Sequence, residues 1–537
     1  MNTRRPILAT VLAVILALSG STLSAGTDGT ARGGAQQATL HHYAADTWQS
    51  FALLVNPKSD LPSDHIDGQL RPSSRSAYTS PTNIAMYLWA VLAARDLGII
   101  SSDEATGRLK KTVKSIGRLE RHRPSGQFYN WYDPASGATL TTWPEPPHNK
   151  VYPFLSSVDN GWLAAALIMV ANAVPKLHDA AWSIATSMNF GFYYDPSANP
   201  DAGTGLIRGG YWPEVPIGDV ATPTNGPTQC TQRRPGPPPD PPFAGWTCHH
   251  YGAFNTEPRI ASYVGIALGQ IPAEHYFGGW RTFPNTCDWS WQEAKPEGAW
   301  RDYTVNRKTV HVFEGAYRYH GVKLVPTWGG SMFEGLMVPL VVPEEDWGPR
   351  SWGVTHPLYA QAQIQYGLSD SRYGYWGFSP SSDPAGGYRE YGVDAIGMLG
   401  DGYTTDEARQ THYDAGWNDA NCRRAPAPIT NYDGGVVTPH AAFLALDFDA
   451  TAALADLAGL KSAFPAIYGK GGFKDAVNVT TGQVADRYLA LDQGMIMAAI
   501  ANELTGNKLQ GYLAVTLQPA LKPLMAMEVF NAGTVGP

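Results

Sequence analysis

Residues 83–95, which read NIAMYLWAVLAAR, indicate the fold of this 537-residue chain more clearly than any other stretch. Their apolar side chains recur at helical spacing, at Ile84, Met86, Leu88, Trp89, Val91 and Leu92. This spacing predicts an α-helix. Similar patterns recur at intervals after residue 40, whereas long alternating strand patterns are scarce.

About a dozen helices are expected in the chain. Ser101 and Glu104 form a capping-box pattern ahead of one of them. The other predicted helices cover residues 109–119, 159–173, 180–188, 257–268, 333–340, 357–367, 439–446, 450–464, 492–504 and 509–519. No linker divides this series, so we expect one all-α domain in which paired helices form a double ring.

The loops between the helices are long and aromatic. The chain has 17 Trp, 27 Tyr, 56 Gly and 42 Pro. Long loops inside a compact domain are usually functional or disordered, and disordered segments lack aromatics. We therefore expect the loops to build a cleft at one end of the helices. Trp and Tyr rings with a polar edge suit sugar rings, although a large core is the alternative reason for their number.

Charge and motifs exclude several classes of function. The net charge is −8 and no basic run occurs, which argues against a nucleic-acid partner. There is no Walker pattern and no GxSxG nucleophile motif. The adjacent His249 and His250 are not part of a metal-ligand pattern, so we expect no metal and no cofactor.

The N-terminus has the three parts of a secretory signal peptide. Arg4 and Arg5 precede an apolar run over residues 7–18, and small residues follow up to Ala25. We expect residues 1–25 to be removed, residues 26–40 to be flexible, and the mature chain to be a secreted monomer, extracellular or periplasmic. The run over residues 7–18 is too short for a membrane span, and no later stretch qualifies. An uncleaved signal anchor is the alternative interpretation of this segment.

Four cysteines are present, and in an exported protein an even number indicates disulfides. Four cysteines allow three pairings. Cys230 and Cys248 bracket most of a proline-rich stretch, so we expect them to close it as an insertion over about residues 221–248. Cys287 would then pair with Cys422.

Six short segments place an acid at the junction of a loop and a helix, among glycine and aromatic residues. Their acids are Asp159, Glu257, Glu334, Glu390 with Asp394, Asp475 and Asp492. Glycosidic bond cleavage needs such groups. One neutral carboxylic acid protonates the leaving oxygen, and a second carboxylate activates water or attacks the anomeric carbon. Aromatic walls raise the pKa of the acid by desolvation.

Structural roles are equally open for these acids. Asp159 and Asp492 precede apolar helical runs and could be N-caps. Glu257 precedes Pro258 and could belong to a first helical turn, with Arg259 as its ion-pair partner. Spacing alone does not choose a catalytic pair.

Seven short motifs follow one another along the chain: TSPTNI at residues 79–84, VDNGW at 158–162, NTE at 255–257, SMFE at 331–334, YWGFSPS at 375–381, VTPHA at 437–441 and LDQG at 491–494. This ordered set resembles the bacterial glucoamylase-like domain family. That family is related to glycoside hydrolase family 144 and to the catalytic regions of cyclic β-1,2-glucan synthases.

The resemblance implies an (α/α)6 barrel over residues 41–537 and hydrolysis of a glucan, most often an endo-acting cleavage of β-1,2-glucan. By resemblance, Glu257 is the general acid and Glu334 its partner. Inverting relatives instead use an aspartate, for which Asp159, Asp475 and Asp492 are the candidates. Two alternatives stay open: a retaining transglycosylase or hydrolase acting on another polysaccharide, and a glycan-binding protein without catalysis.

The remaining site residues are expected to bind the sugar. Trp162, Trp328, Tyr375 and Trp376 are candidate platforms for sugar rings. The candidate polar contacts to sugar hydroxyls are Asn160, Arg259, Glu390, Asp394, His440, Asp475, Asp492 and Gln493.

Overall fold

The structure is a computed structural model that describes residues 25–214, 231–233, 245–247, 249–284, 294–398 and 434–535. Residues Leu40–Pro537 form one compact unit. Within the described ranges, no helix combines the length and the apolar character that crossing a membrane requires.

The described residues contain thirteen α-helices. In chain order they are α1 (Ala25–Leu54), α2 (Pro81–Asp96), α3 (Ser102–Ile116), α4 (Ser157–Ala173), α5 (His178–Thr186), α6 (Arg259–Ala267), α7 (Met332–Leu336), α8 (Glu344–Trp347), α9 (Trp352–Gln365), α10 (Pro439–Leu444), α11 (Leu446–Ala463), α12 (Ala490–Thr505) and α13 (Lys508–Met527). Each helix expected from the sequence is present, with ends shifted by up to eight residues. The prediction of a helix-rich chain is confirmed.

The stretch 83–95 forms most of α2, a helix that is buried over most of its length. Ser80 caps its N-terminus by accepting a hydrogen bond from the backbone N–H of Asn83 at 3.1 Å, and Pro81 occupies the first helical position. Buried side chains point in all directions around α2, because other helices surround it.

Six helices pack in sequence around the core. α2 packs against α4 and α12, α4 packs against α6, α12 packs against α10, and α10 packs against α7. The amphipathic α3 packs against α2 with one apolar face only. Its serine cap is as predicted, because Ser101 Oγ accepts from the backbone N–H of Glu104 at 3.1 Å.

The expectation of an all-α fold is wrong in one respect, because strands are not negligible. In chain order they are β1 (His65–Asp67), β2 (Leu155–Ser156), β3 (Tyr194–Asn199), β4 (Thr204–Ile207), β5 (Gly210–Trp212), β6 (Thr231–Arg233), β7 (Gly245–Thr247), β8 (Glu297–Val305), β9 (Lys308–Tyr319), β10 (Val322–Leu324), β11 (Thr327–Trp328), β12 (Ser381–Ser382), β13 (Tyr388–Arg389), β14 (Gly397–Met398), β15 (Val436–Val437), β16 (Tyr468–Gly469), β17 (Gly472–Phe473), β18 (Val477–Asn478), β19 (Arg487–Leu489) and β20 (Gly533–Thr534).

Two sheets have four strands each, in the orders β2-β5-β7-β6 and β20-β10-β9-β8. The remaining strands pair two by two, β1 with β19, β3 with β4, β11 with β14, β12 with β13, β15 with β18 and β16 with β17. The longest strand pairing among the described residues is the antiparallel β8–β9 hairpin, in which Trp300 pairs with Phe313. β8 is mostly exposed and polar, so it lacks the alternating pattern that would have predicted it.

Several short strands lead directly into core helices. β2 precedes α4, β11 precedes α7, β15 precedes α10 and β19 precedes α12. Such a strand fixes the position at which the following helix begins. The first turns of α4, α7 and α12 carry three of the candidate acids, Asp159, Glu334 and Asp492.

The terminal and cysteine predictions have different outcomes. Residues 26–40, expected to be flexible, lie within α1 because they continue its helical backbone. Cys230, Cys248, Cys287 and Cys422 lie outside the described residues, as does the segment 1–24. The disulfides and the signal peptide therefore stay predictions. Of the proline-rich insertion, only β6 and β7 are described, and both join the sheet that contains β2.

Candidate active site

Serine residues, and not the candidate acids, cap two of the helices at the site, α4 and α7. Ser156 Oγ accepts from the backbone N–H of Asp159 at 3.2 Å, and Ser331 Oγ accepts from that of Glu334 at 3.2 Å. Each acid therefore lies in the first turn of its helix with its carboxylate unused by capping. The interpretation of Asp159 as an N-cap is wrong for this reason.

Glu257 and Asp492 are not caps either. α6 begins after Pro258 without a side-chain cap, and Glu257 lies in the loop just before it. α12 follows Leu489, and Asp492 lies in its first turn. All of these carboxyl groups are therefore available for chemistry or for binding.

Glu257 and Glu334 lie side by side. The backbone N–H of Glu257 donates to Oε2 of Glu334 at 2.9 Å, and the hydroxyl of Thr256 donates to the same oxygen. The indole N–H of Trp162 donates to Oε2 of Glu257. Both glutamates are partly exposed, so a ligand can reach them.

This arrangement favours different protonation states for the two glutamates. Burial, and then the charge of Glu334, raise the pKa of Glu257 well above its ordinary value. Burial also raises the pKa of Glu334, but the donors from Thr256 and Glu257 oppose that shift because they stabilise the carboxylate. The pair can therefore hold a protonated Glu257 beside an ionised Glu334.

Two further acids belong to the same group. The hydroxyl of Thr82 on α2 donates to Oδ1 of Asp159 at 2.6 Å. Burial, and then the charge of Glu334, raise the pKa of Glu390 to about 7. Asp159 and Glu390 are both partly exposed, and their charges add to the rise in the pKa of Glu257. Four carboxyl groups thus influence one another across this part of the site.

A second, buried group contains His440, Asp475 and Asp492. Nδ1 of His440 lies 2.7 Å from Oγ1 of Thr438 and 3.3 Å from Oδ2 of Asp492. The Thr438 hydroxyl donates to the carbonyl of Asp475 at 2.7 Å, so its oxygen accepts from Nδ1–H of His440. Nε2 of His440 is then an acceptor, and it has no hydrogen-bond partner in the described part of the chain.

Burial makes this group close to neutral. It lowers the pKa of His440 to about 4, raises the pKa of Asp492 to about 7 and raises that of Asp475 well above its ordinary value. One ligand atom from each of the three residues lies within 4.8 Å of the others. They could hold a divalent cation or the hydroxyls of a sugar, and the expectation of no metal stays a prediction.

Asp64 was missed by the sequence analysis, and it connects the two groups. Its Oδ1 accepts from Nδ2 of Asn83 at 2.8 Å on α2, and its backbone carbonyl accepts from the N–H of Ala490 at 2.8 Å, where α12 starts. Its charge also contributes to the raised pKa of Asp492. Asp64 lies in an irregular segment that carries no motif, so no local signal could have found it.

Arg259, expected to bind sugar, is instead a buried structural residue. Its guanidinium makes a bidentate pair with Glu344, at 2.8 and 2.9 Å, and lies over the ring of Trp352 at 4.9 Å. It also donates to the carbonyls of Glu334 at 3.0 Å and Gly335 at 2.7 Å. Since these donors are occupied and the side chain is buried, Arg259 links α6 to α7 and does not face a ligand.

Four other predicted contacts are also structural, because their side chains are fully enclosed. Asn160 exchanges hydrogen bonds with the backbone of Phe128 at 2.7 and 2.9 Å. Gln493 donates to the carbonyl of Phe473 at 2.9 Å. Trp162 is 0% exposed and Trp376 is 1% exposed, so neither can serve as a platform for a sugar ring.

The last three predicted residues lie in different environments. Trp328 on β11 is partly exposed and stands two residues before the Gly330-Ser331 entry to α7. Tyr375 packs against Phe464 with 5.5 Å between ring centroids. Asp394 is buried. Of the predicted platforms, Trp328 has the position that best suits contact with a ligand.

Two family models match parts of the chain. Residues 299–510 match a family model described as "Putative glucoamylase", and residues 42–191 match one described as "Protein of unknown function (DUF3131)".

A cyclic β-(1,2)-glucan synthase, NdvB of Rhizobium meliloti, is 34% identical over 134 residues. The match covers 25% of this chain and 4% of the synthase, so the chain corresponds to a small part of that protein.

Solved structures share the fold. An endo-β-1,2-glucanase from Chitinophaga pinensis, in complex with sophorotriose and glucose, has a TM-score of 0.58 at 16% identity, over 91% of this chain and 98% of that one. A β-1,2-glucanase from Parabacteroides distasonis has a TM-score of 0.62 at 15% identity, over 91% of this chain and 60% of that one. At these identities the structural likeness shows the fold alone. Together with the sequence matches, it confirms the predicted family resemblance.

Proposed function

We propose that this protein is an exported glycoside hydrolase that cleaves β-1,2-glucan within the chain, with Glu257 as general acid and Glu334 as its partner carboxylate. The observation that carries this proposal is the contact between Glu257 and Glu334 at the N-terminal ends of α6 and α7. The named activities of the two structural neighbours support the choice of substrate. The N-terminal sequence alone supports export.

The acid step follows from the protonation states. Glu257, kept protonated by burial and by the Glu334 charge, gives its proton to the glycosidic oxygen as the bond to the anomeric carbon breaks. Positive charge that develops on the sugar is stabilised by the nearby carboxylates of Glu334 and Asp159.

Water completes the reaction by one of two routes. Glu334 takes a proton from a water molecule that attacks the anomeric carbon, or it attacks that carbon itself and water later releases the sugar. In the first route the product has inverted configuration, and in the second it has retained configuration. Proton NMR of the first-formed product distinguishes the two, and the retaining route would also permit transglycosylation.

Binding of the sugar is assigned to the acceptor groups beside the pair. Asp159 and Glu390 are partly exposed, so their carboxylates can accept hydrogen bonds from sugar hydroxyls. His440 is buried, and its Nε2, which has no partner among the described residues, is open only to a hydroxyl that enters the buried group. Asp475 and Asp492 adjoin His440, and Trp328 supplies an accessible ring. Substitution of these acceptors should weaken sugar binding more than it weakens folding.

We also propose that the core helices close into the (α/α)6 barrel implied by the family. The sequence of neighbours from α7 through α10, α12, α2 and α4 to α6 supports this. The hydrogen bonds from Arg259 to the carbonyls of Glu334 and Gly335 join α6 back to α7. The barrel would then place the N-terminal ends of these helices around one cleft.

The experiment is product analysis after purified mature protein is incubated with linear β-1,2-glucan. Short oligosaccharides are expected from the wild type, and Glu257→Gln should reduce turnover by about 10²- to 10⁴-fold without loss of folding. Glu120→Gln, which changes an exposed glutamate on the surface, is the matched control.

Activity above about one per cent in Glu257→Gln would contradict the general-acid assignment. Binding of the glucan without cleavage by the wild type would favour the glycan-binding alternative. Cleavage of another polysaccharide in place of β-1,2-glucan would keep the hydrolase and replace its substrate.

A further inference from the structure

Three aromatic rings form a cluster beside the acids. Tyr78 and Trp143 have ring centroids 4.4 Å apart, and Trp131 meets each of them edge-on at 5.7 Å. We refer to Tyr78, Trp131 and Trp143 as the rim cluster. All three side chains are partly exposed, whereas most aromatic residues of the core are fully enclosed.

The backbone places the rim cluster over the entrances to two core helices. The residues that follow Tyr78 and Trp131, namely Thr79 and Tyr132, exchange backbone hydrogen bonds at 2.9 and 3.0 Å. Thr79 leads through Ser80 into α2, which carries Thr82, the donor to Asp159. The rings therefore stand at the same end of the helices as the catalytic group.

The rim cluster also adjoins the buried acidic group. The backbone N–H of Asp64 donates to the carbonyl of Tyr78 at 3.0 Å, and the ring of His65 meets that of Tyr78 edge-on at 5.8 Å. Asp64 in turn accepts from the N–H of Ala490, where α12 begins and leads to Asp492. A continuous path of polar and aromatic groups thus runs from Trp143 to both groups of acids.

The two tryptophans of the cluster have unused donors. The buried indoles of Trp89 and Trp352 donate to a carbonyl and to a tyrosine hydroxyl, at 2.9 and 3.1 Å. The indole N–H groups of Trp131 and Trp143 have no hydrogen-bond acceptor among the described residues. Because the side chains of Trp131 and Trp143 are also partly exposed, these two donors are open to a ligand.

We propose that the rim cluster is a sugar-binding subsite that holds glucose units of the glucan chain away from the bond being cleaved. This inference rests on the proposed function and adds to it the place where the polymer is recognised. A pyranose ring offers an apolar face of C–H groups and an edge of hydroxyls. The partly exposed rings of the rim cluster match the apolar C–H face of the sugar, and the two indole donors match its hydroxyls.

Affinity measurements in the inactive Glu257→Gln background test the subsite without hydrolysis. Linear β-1,2-glucan chains of several defined lengths are titrated into the full-length protein by calorimetry. Trp143→Ala and Trp131→Ala should each weaken the binding of long chains by about tenfold. The loss should be smaller for a disaccharide, which is too short to reach from the acids to the rim.

Trp300→Ala is the matched control. Trp300 is 51% exposed and meets Phe313 edge-on at 5.7 Å, but it lies on the β8–β9 hairpin and outside the proposed path. Trp143→Phe, which keeps a ring but loses the indole donor, should fall between Trp143→Ala and the parent. Thermal unfolding of every variant identifies those that have lost their fold. If an alanine variant does not fold, the affinity of Trp143→Phe is the deciding measurement.

The possible failures are distinct. Equal affinity in the parent and both alanine variants, or an equal loss in Trp300→Ala, would overturn the subsite and leave the hydrolase proposal intact. Absence of glucan binding by the parent, with no cleavage by the wild type, would overturn the proposed function and the subsite together.

Discussion

The backbone N–H of Glu257 donates to the carboxylate of Glu334 across 2.9 Å. The backbone of Glu257 therefore binds Glu334, while the side chain of Glu257 stays available to a ligand. The contact stabilises the ionised form of Glu334, and that charge in turn keeps Glu257 protonated. The protonation states of the two groups are therefore coupled, and changes to either should be visible in the pH dependence of activity.

Glu334→Gln should lower turnover by at least about a hundredfold if this carboxylate is the partner of the acid. It should also shift the alkaline limb of the pH–rate profile to lower pH. The reason is that the neutral amide no longer raises the pKa of Glu257, so the acid loses its proton earlier. Residual activity measured across pH 4 to 9 tests both effects. An unmoved limb would show that the two groups do not interact.

Trp162→Phe should move the same limb in the opposite direction. The indole donor of Trp162 lowers the pKa of Glu257, so its removal lets that pKa rise. The neighbouring Trp89→Phe is the control, because Trp89 lies edge-on to Trp162 at 5.7 Å and donates only to a backbone carbonyl. Both variants should lose about 1 kcal/mol or more of stability. A shift of the limb in both would count against a specific bond to Glu257.

Arg259→Lys should destabilise the protein by roughly 3–5 kcal/mol, because Lys cannot reproduce the buried bidentate pair with Glu344. Turnover should also fall at temperatures where the variant is folded, since the bonds that hold the backbone of Glu334 are lost. Arg281→Lys, which breaks a buried pair with Glu528 elsewhere, should cause a similar loss of stability with no change in turnover. Urea unfolding measures the stability of each variant, and steady-state kinetics measures its turnover. Intact turnover in folded Arg259→Lys would refute the positioning role.

Asp492→Asn should stabilise the protein at neutral and higher pH while weakening catalysis. Burial raises the pKa of Asp492 to about 7, so between the ordinary pKa near 4 and pH 7 the folded state binds more protons than the unfolded state. Stability therefore falls as the pH rises through this window, and it levels off above pH 7. Asn removes that cost, which we expect to be roughly 1–3 kcal/mol above pH 7 and negligible near pH 4.

Asp456→Asn provides the comparison for Asp492→Asn. Burial raises the pKa of Asp456 to about 8, and this residue on α11 accepts from the backbone N–H of Trp376. Its substitution should change the pH dependence of stability in the same direction and leave activity unaltered. If Asp492→Asn kept full activity, its assignment to sugar binding would be wrong.

Dialysis against EDTA should leave activity unchanged. The group formed by His440, Asp475 and Asp492 is kept near neutral by burial, so it does not require a cation for charge balance. Activity of the dialysed protein, with and without added Ca²⁺, Mn²⁺ or Zn²⁺, is the measurement. Loss on dialysis with recovery on addition of one ion would place a metal at this group.

The helices were predictable because their patterns are local. The stretch 83–95 becomes α2, and the serine-to-acid spacing of a capping box was recognised at Ser101. The same spacing occurs from Ser156 to Asp159 and from Ser331 to Glu334, where it would have shown that serine caps the helix and that the acid lies in its first turn.

The site itself depends on contacts that are distant in the sequence. Arg259 and Glu344 are 85 residues apart, so an arginine beside a glutamate motif gives no sign that its charge is already paired. Trp162 and Trp376 show the same limit, because an aromatic residue next to an acid can be core or platform. The β8–β9 hairpin was missed since its first strand is mostly exposed and shows no regular alternation of apolar and polar residues.

The serine-capped first turns have a consequence for how such a protein can diversify. The acids Asp159 and Glu334 are anchored one turn inside helices whose starting points the core dictates. The rings at Trp131 and Trp143, by contrast, belong to the connecting segment that ends at β2. Exchange of residues 131–154 with the same segment of a relative could therefore alter which polymer is accepted, while the machinery for breaking the bond is inherited unchanged.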